Sequence, residues 1–267
     1  MGTNRGAGRG ELGELRAEVG RLREEVARLR RGVGPAEGTE RRRRVHLHAI
    51  LDASFSMSGL VDATLEGFNG FLARQAALGG TDLVVSLHTF GAPEDFRTVY
   101  RAVPAAECGE LTGADYVANG MSTALVDAVL DSLAEYNGRS RRRDDADAHV
   151  ALIITDGHEN SSRRRKSEAV ALLDALKRTG RWTVAYVGSE AGTWTEAQAY
   201  GFSLGTTWTY ANTSDGVQSA YTLCSSGLSD LRSTVAAGTS YSTNTFFTSP
   251  TSTAAAGTSG TSTQVKV

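Results

Sequence analysis

Cysteine is nearly absent from this sequence: 267 residues contain two, Cys108 and Cys224, far apart and without Cys-x-x-Cys spacing. That excludes a small disulfide-stapled fold and a thiolate zinc site, and it predicts reduced thiols in a reducing, cytoplasmic compartment. Proline is scarce too, at four residues, so helices and strands can run without interruption. No apolar run approaches the roughly 20 residues of a membrane-spanning helix, and the start, MGTNRGAGRGELG, lacks the apolar segment of a secretory signal. No membrane partner is expected. Neither sign of charge dominates, with 28 Lys and Arg against 30 Asp and Glu, which removes the global field that draws a protein to nucleic acid. The basic runs at 41–44, 141–143 and 163–166 are local, and solvated surface is their expected role. Also missing are a Gly-x-x-x-x-Gly-Lys-Ser/Thr phosphate loop, a Gly-x-Ser-x-Gly elbow and a His-Glu-x-x-His helix, so the common signatures of nucleotide, acyl and zinc-hydrolytic chemistry are excluded.

What is present divides by composition. Residues 1–10 are rich in Gly and Arg and are expected to be disordered. Residues 11–33 carry an unbroken 3-4 step of apolar side chains, Leu12, Leu15, Val19, Leu22, Val26, Leu29 and Val33. With Leu12 at heptad position a, the later a positions are valine and each d position is leucine, a combination that favours parallel two-stranded coils. Glu11, Glu18 and Glu25 then occupy g positions and Arg16, Arg23 and Arg30 occupy e, so opposite charges meet across a parallel homodimer. Gly13 and Gly20 weaken this helix, and a single helix packed elsewhere is the alternative. Residues 34–44 read as a basic linker. Residues 238–267 are almost entirely Thr, Ser, Gly and Ala and are expected to be a disordered tail, with Phe246 and Phe247 as a potential docking point inside it.

Between linker and tail, residues 45–237 read as one folded domain. Apolar runs at 45–51, 81–90, 148–155 and 182–187 predict buried strands, with a further strand at 202–210. Residues 95–103 predict an antiparallel edge strand after the tight reversal Gly91-Ala92-Pro93-Glu94, and Arg97 and Arg101 suit an edge. Helical periodicity appears at 60–78, 124–136, 167–178, 193–200 and 215–235. The resulting order predicts a doubly wound α/β fold: a mostly parallel six-stranded sheet with one antiparallel edge strand and helices on both faces. His46 and His48 alternate onto one face of the first strand, away from its C-terminal end, and are expected to be structural.

Three stretches carry the chemistry. Residues 49–58, AILDASFSMS, deliver Asp52, Ser54 and Ser56 to the end of a strand. These are small, hard oxygen donors at alternate positions, and they suit a divalent cation. Gly120-Met121-Ser122-Thr123 and Ile153-Ile154-Thr155-Asp156-Gly157 follow in order. Together the three resemble the metal-ion-dependent adhesion site of von Willebrand factor A domains, with its Asp-x-Ser-x-Ser, threonine-loop and strand-end aspartate elements. The resemblance implies a metal site made of Asp52, Ser54, Ser56, Thr123 and Asp156. In it the serine hydroxyls bind directly, Thr123 binds directly or through water, and the two aspartates hold the ion's waters. It implies Mg²⁺, with Mn²⁺ or Ca²⁺ as alternatives, bridging to an Asp or Glu of a protein partner. His158 and Glu159 are expected at the partner-facing rim, and Asp127 is left outside the site. Two other readings stand beside this one. One is an assembly spacer with metal-independent contacts. The other is a Mg²⁺-dependent phosphohydrolase, whose usual Asp-x-Asp-x-Thr pattern puts a carboxylate where Ser54 stands here. No enzyme is expected.

Overall fold

Alternation on the strands builds two cores, one on each face of the sheet. The structure is a computed structural model, describing residues 43–136, 147–189 and 193–247. The central strand β1 (Arg44–Asp52) pairs in parallel with β2 (Asp82–Phe90) on one side and β4 (Ala148–Thr155) on the other. The edge strand β3 (Arg97–Pro104) runs antiparallel to β2, while β5 (Trp182–Gly188) and β6 (Thr207–Thr209) continue the parallel set, for an order of β3-β2-β1-β4-β5-β6. This is the six-stranded sheet with one antiparallel edge expected from the sequence. Arg97 and Arg101 are exposed on that edge.

Among the described residues five α-helices flank the sheet: α1 (Val61–Ala77), α2 (Leu125–Leu133), α3 (Lys166–Lys177), α4 (Thr193–Ala199) and α5 (Ser214–Ala236). Leu47, Ala49 and Leu51 of β1 bury against the layer holding Phe68 and Phe71 of α1 and Tyr221 and Leu228 of α5. The intervening Ile50 belongs to the opposite core, with Val129 of α2 and Leu173 of α3. Gly67 makes the α1–α5 approach possible, since a Cβ there would lie 2.3 Å from the Tyr221 ring. After β1 the chain winds outward to β2 and β3, then returns to β4 on the other side of β1. Such a reversal leaves a crevice at the C-terminal ends of the two central strands, where open α/β sheets bind ligands.

Three boundaries differ from expectation. The strand expected at 202–210 is three residues long, because Ser203 and Thr206 close a 3₁₀ turn ahead of it (Ser203 N to Thr206 Oγ1, 3.2 Å). The tail boundary at Gly238 falls too early. Residues 241–247 fold back along the β6 side, where the amides of Phe246 and Phe247 both donate to Gly205 O (2.6 and 2.9 Å) and Phe246 is buried in the core. One aromatic side chain with a place in the core is enough to hold a segment that composition alone assigns to disorder. At the other end, Arg43 O accepts from Asp82 N and Arg44 opens β1, so the last linker residues belong to the domain. The predicted coil at 11–33, most of the linker, the charged stretch 137–146 and the tail beyond Phe247 lie outside the described residues. No described helix is long and apolar enough to cross a membrane.

Candidate metal centre

Asp52 ends β1, and its side chain is fully buried among donors. One carboxylate oxygen accepts from the Ser54 amide (2.8 Å) and the other from Thr155 Oγ1 (2.5 Å), so strands β1 and β4 are joined at their C-terminal ends. Tyr116, also wholly buried, donates its hydroxyl to Asp52 O (2.5 Å) and fixes the backbone there. Burial pushes the Asp52 carboxyl up to about 6, against the hydrogen bonds from Thr155 and Ser54 that favour the charged form. A cation beside it would offset the same desolvation.

From Asp52 a chain of oxygens runs outward. Ser54 Oγ lies 3.0 Å from Ser56 Oγ, and Ser56 donates to Asp156 Oδ1 at 2.6 Å. Thr123 completes the group from a third loop. A Cβ placed on Gly157 would meet Thr123 Oγ1 at 3.1 Å, Ser56 Oγ at 3.7 Å and Asp52 Oδ2 at 3.8 Å, so a glycine there leaves an oxygen-lined cradle that any side chain would obstruct. Asp52, Ser54, Thr123 and Asp156 are all buried, whereas Ser56 is exposed and marks the open side. All five predicted residues are thus brought together. Among the described residues no three His, Cys, Asp or Glu side chains cluster to hold a metal, which leaves hydroxyl-based ligation as the chemistry this crevice offers. The donor set and the cradle fit a small hard cation.

The loops are held by contacts that local sequence does not announce. The first and second loops are joined by Phe55 N to Gly120 O (2.7 Å) and Gly120 N to Ala53 O (3.2 Å). Gly91 and Gly120 permit this, because a Cβ on Gly120 would lie 2.8 Å from Gly91 Cα. The threonine loop is gripped by Asn160, whose side-chain oxygen accepts from Thr123 N (2.9 Å) and whose amide donates to Thr123 O (3.0 Å).

Glu159, expected at the partner-facing rim, is instead an internal cap. Its Oε2 accepts from Val126 N in the first turn of α2 (2.9 Å) and from Ser162 Oγ (2.6 Å), and its Oε1 accepts from the amides of Ser161 (2.9 Å) and Ser162 (2.8 Å). The N-cap of α2 is Ala124, which has no capping oxygen, so a carboxylate from the next loop supplies it. Asp127 plays the reciprocal part, accepting from the amides of Arg163 and Arg164 and from Arg164 Nε (2.8 Å). Burial works against its charge, but these donors hold its carboxyl below the usual range. His158 does stand at the rim, with its side chain 58% exposed and Nδ1 2.5 Å from Glu196 Oε2. Sequence reading missed Thr155, Tyr116 and Asn160 as site residues. Thr155 adjoins a recognised motif, whereas Tyr116 carries no local signal at all.

At the level of sequence, no family model and no curated protein matches this chain. Solved structures do. The pilus adhesin SpaC from Lactobacillus rhamnosus GG, in an open conformation, matches with a TM-score of 0.53 at 13% identity, over 75% of this chain and 30% of that one. Others are the von Willebrand factor type A structure from Catenulispora acidiphila (18% identity, 73% of this chain and 42% of that, TM-score 0.42) and the SpRpn10 VWA domain (8%, 66% and 92%, 0.47). The chain shares the fold of the adhesin, a VWA-like α/β fold with a six-stranded mixed sheet. It spans less than half the length of the adhesin and of the Catenulispora protein. At these identities the likeness concerns the fold alone.

Proposed function

We propose that this VWA domain is a non-catalytic protein-binding module that engages an acidic residue of a protein partner through Mg²⁺ held by Asp52, Ser54, Ser56, Thr123 and Asp156. The observation that carries the reading is the convergence of these oxygen donors from three loops onto a cradle kept free by Gly157. When bound, the cation supplies a Lewis-acidic position open to a partner's Asp or Glu carboxylate. Ser54, Ser56 and Thr123 offer hydroxyls to hold it, and Asp52 and Asp156 offset its charge and orient its waters. With few direct carboxylate ligands, the set favours Mg²⁺ or Mn²⁺ over Ca²⁺, which gathers more oxygens. Tyr116, Thr155 and Asn160 act on the site by fixing Asp52 and Thr123 before any ligand arrives.

Non-catalytic action is supported by the engagement of both Asp52 oxygens and by the hydroxyl of Ser54 where a phosphohydrolase needs a second acid. Titration calorimetry with Mg²⁺ on the wild type, Asp52→Ala and Ser54→Ala tests the assignment. Binding by the wild type and its loss in both variants is expected. Equal heats in all three would sink the site. Partner capture that is indifferent to EDTA would favour the metal-independent spacer, and turnover of a phosphate ester abolished by Asp52→Asn would favour an enzyme.

A further inference from the structure

Five large apolar side chains are exposed among the described residues, and the two on the cation-site loops are Phe55 (65%) and Met121 (88%). Phe55 stands between Ser54 and Ser56, and Met121 stands two residues before Thr123. The neighbouring ligands Ser54 and Thr123 are each 3% exposed, so both loops turn hydroxyls inward and an apolar side chain outward. The two loops are stitched together, with Phe55 N donating to Gly120 O at 2.7 Å, and Met121 follows that carbonyl directly in the chain. A parallel bridge between Ser54 and Gly120 fixes the same register. Phe55 and Met121 are therefore exposed side chains on two loops joined through the backbone, with Phe55 next to the exposed Ser56 in the chain. Single exposed apolar residues are ordinary, but two on adjoining ligand loops at the mouth of one site form a contact surface.

We propose that Phe55 and Met121 form an apolar shelf beside the cation position, and that the partner is a protein segment presenting an Asp or Glu with a large apolar side chain next to it. The inference rests on the metal-bridge reading above and specifies its partner. Charge complementarity selects the carboxylate for the cation, and the shelf selects its neighbour by burying area that is otherwise wet. A phosphate-bearing polymer could reach a cation too. A chain of net charge −2 offers it no supporting field, and an unbranched thioether side chain suits a peptide side chain.

The test selects a phage-displayed library of random peptides on the full chain, in Mg²⁺ and again in EDTA, with Phe55→Ser and Met121→Ser carried in parallel. The heat of Mg²⁺ binding reports separately whether the hydroxyl site is intact. Expected is Mg²⁺-dependent enrichment of an acidic residue with Phe, Tyr, Trp, Leu or Met beside it, and about tenfold weaker binding of the selected peptide by each variant. An acid enriched without apolar neighbours, variants that bind like the wild type, or no enrichment by a Mg²⁺-loaded chain would overturn the shelf and leave the metal bridge standing. Absence of Mg²⁺ binding, or selection indifferent to EDTA, would overturn the metal bridge itself and the shelf with it.

Discussion

Glu159 shows how much one carboxylate can settle. It gathers four donors from two loops, three of them backbone or side-chain groups of Ser161 and Ser162 and the fourth the amide of Val126. Removing it leaves those donors to water or to nothing, and it uncaps α2 beside Thr123. Glu159→Ala should therefore lower stability by about 2 kcal/mol and weaken Mg²⁺ binding as the threonine loop loosens. His158→Ala, one position away and largely exposed, should fall within about 0.5 kcal/mol of wild type. Thermal unfolding with and without Mg²⁺ checks both. Equal effects would mean that Glu159 is the rim residue its position in the sequence suggests.

At the scale of elements, the end of the sheet opposite the crevice has its own physics. His46 and His48 of β1, His149 of β4 and Trp182 of β5 stack as a cluster of rings that Tyr136 meets edge-on, with the ring centroids of His149 and Trp182 4.4 Å apart and His46 3.2 Å from Asp147. Burial drives His48 well below the usual histidine range, and it drives His149 to about 3 and, beside Phe96, His88 to about 4. The charges of His46 and Arg181 add to the effect at His149. These three side chains are neutral in the fold and take up protons when the chain unfolds at mildly acidic pH. Their contribution is fully present above the unfolded value of 6.5 and is lost as pH falls toward the folded values. Asp52 works the other way: its raised carboxyl favours the metal-free fold below its unfolded 3.8, and that gain is lost as pH rises through about 6. Three groups outweigh one, so unfolding temperature should drop between about pH 6 and pH 4, and His149→Gln should flatten the slope by up to about 1.4 kcal/mol per pH unit. An unchanged slope would remove His149 from the account. The segment at 241–247 is the other element with a measurable role. Phe246→Ala empties a buried aromatic position and should cost about 3 kcal/mol in chemical denaturation. A loss below 1 kcal/mol, the scale of an exposed position, would return that segment to the tail.

For the whole molecule, the heptad pattern of the sequence at 11–33 predicts parallel dimerisation of the chain. The Glu–Arg pairs at g and e′ contribute only a few tenths of a kcal/mol each, so the Val/Leu seam has to supply the stability. With two glycines and about three heptads, association should depend on concentration. Two metal-bridged contacts joined in this way would act at raised effective concentration, on the order of 10²-fold in avidity if both reach one partner array. Light scattering on the full chain, and on one shortened to begin at Arg43, should show a dimer rising with concentration only for the full chain. If the two remain monomers at tens of micromolar, the coil is a lone helix and the avidity disappears.

Sequence alone determined the sheet, the helices and the five oxygen donors, because each is written in a short window. Alternating or continuous apolar runs specify strands, 3.6-residue periods specify helices, and Asp-x-Ser-x-Ser places its own donors. It also left Asp127 outside the metal site. Tertiary structure alone decided what surrounds those donors. That Glu159 caps α2, that Tyr116 fixes the backbone of Asp52, that Asn160 grips Thr123 and that Phe246 leaves the tail for the core all depend on segments 19 to 64 residues apart meeting in space. A carboxylate beside a site motif is the same letter whether it faces a partner or an amide of the next loop. Only the packing of the loops at the ends of β1 and β4 distinguishes the two, because hydrogen-bond partners are selected by distance in the folded chain.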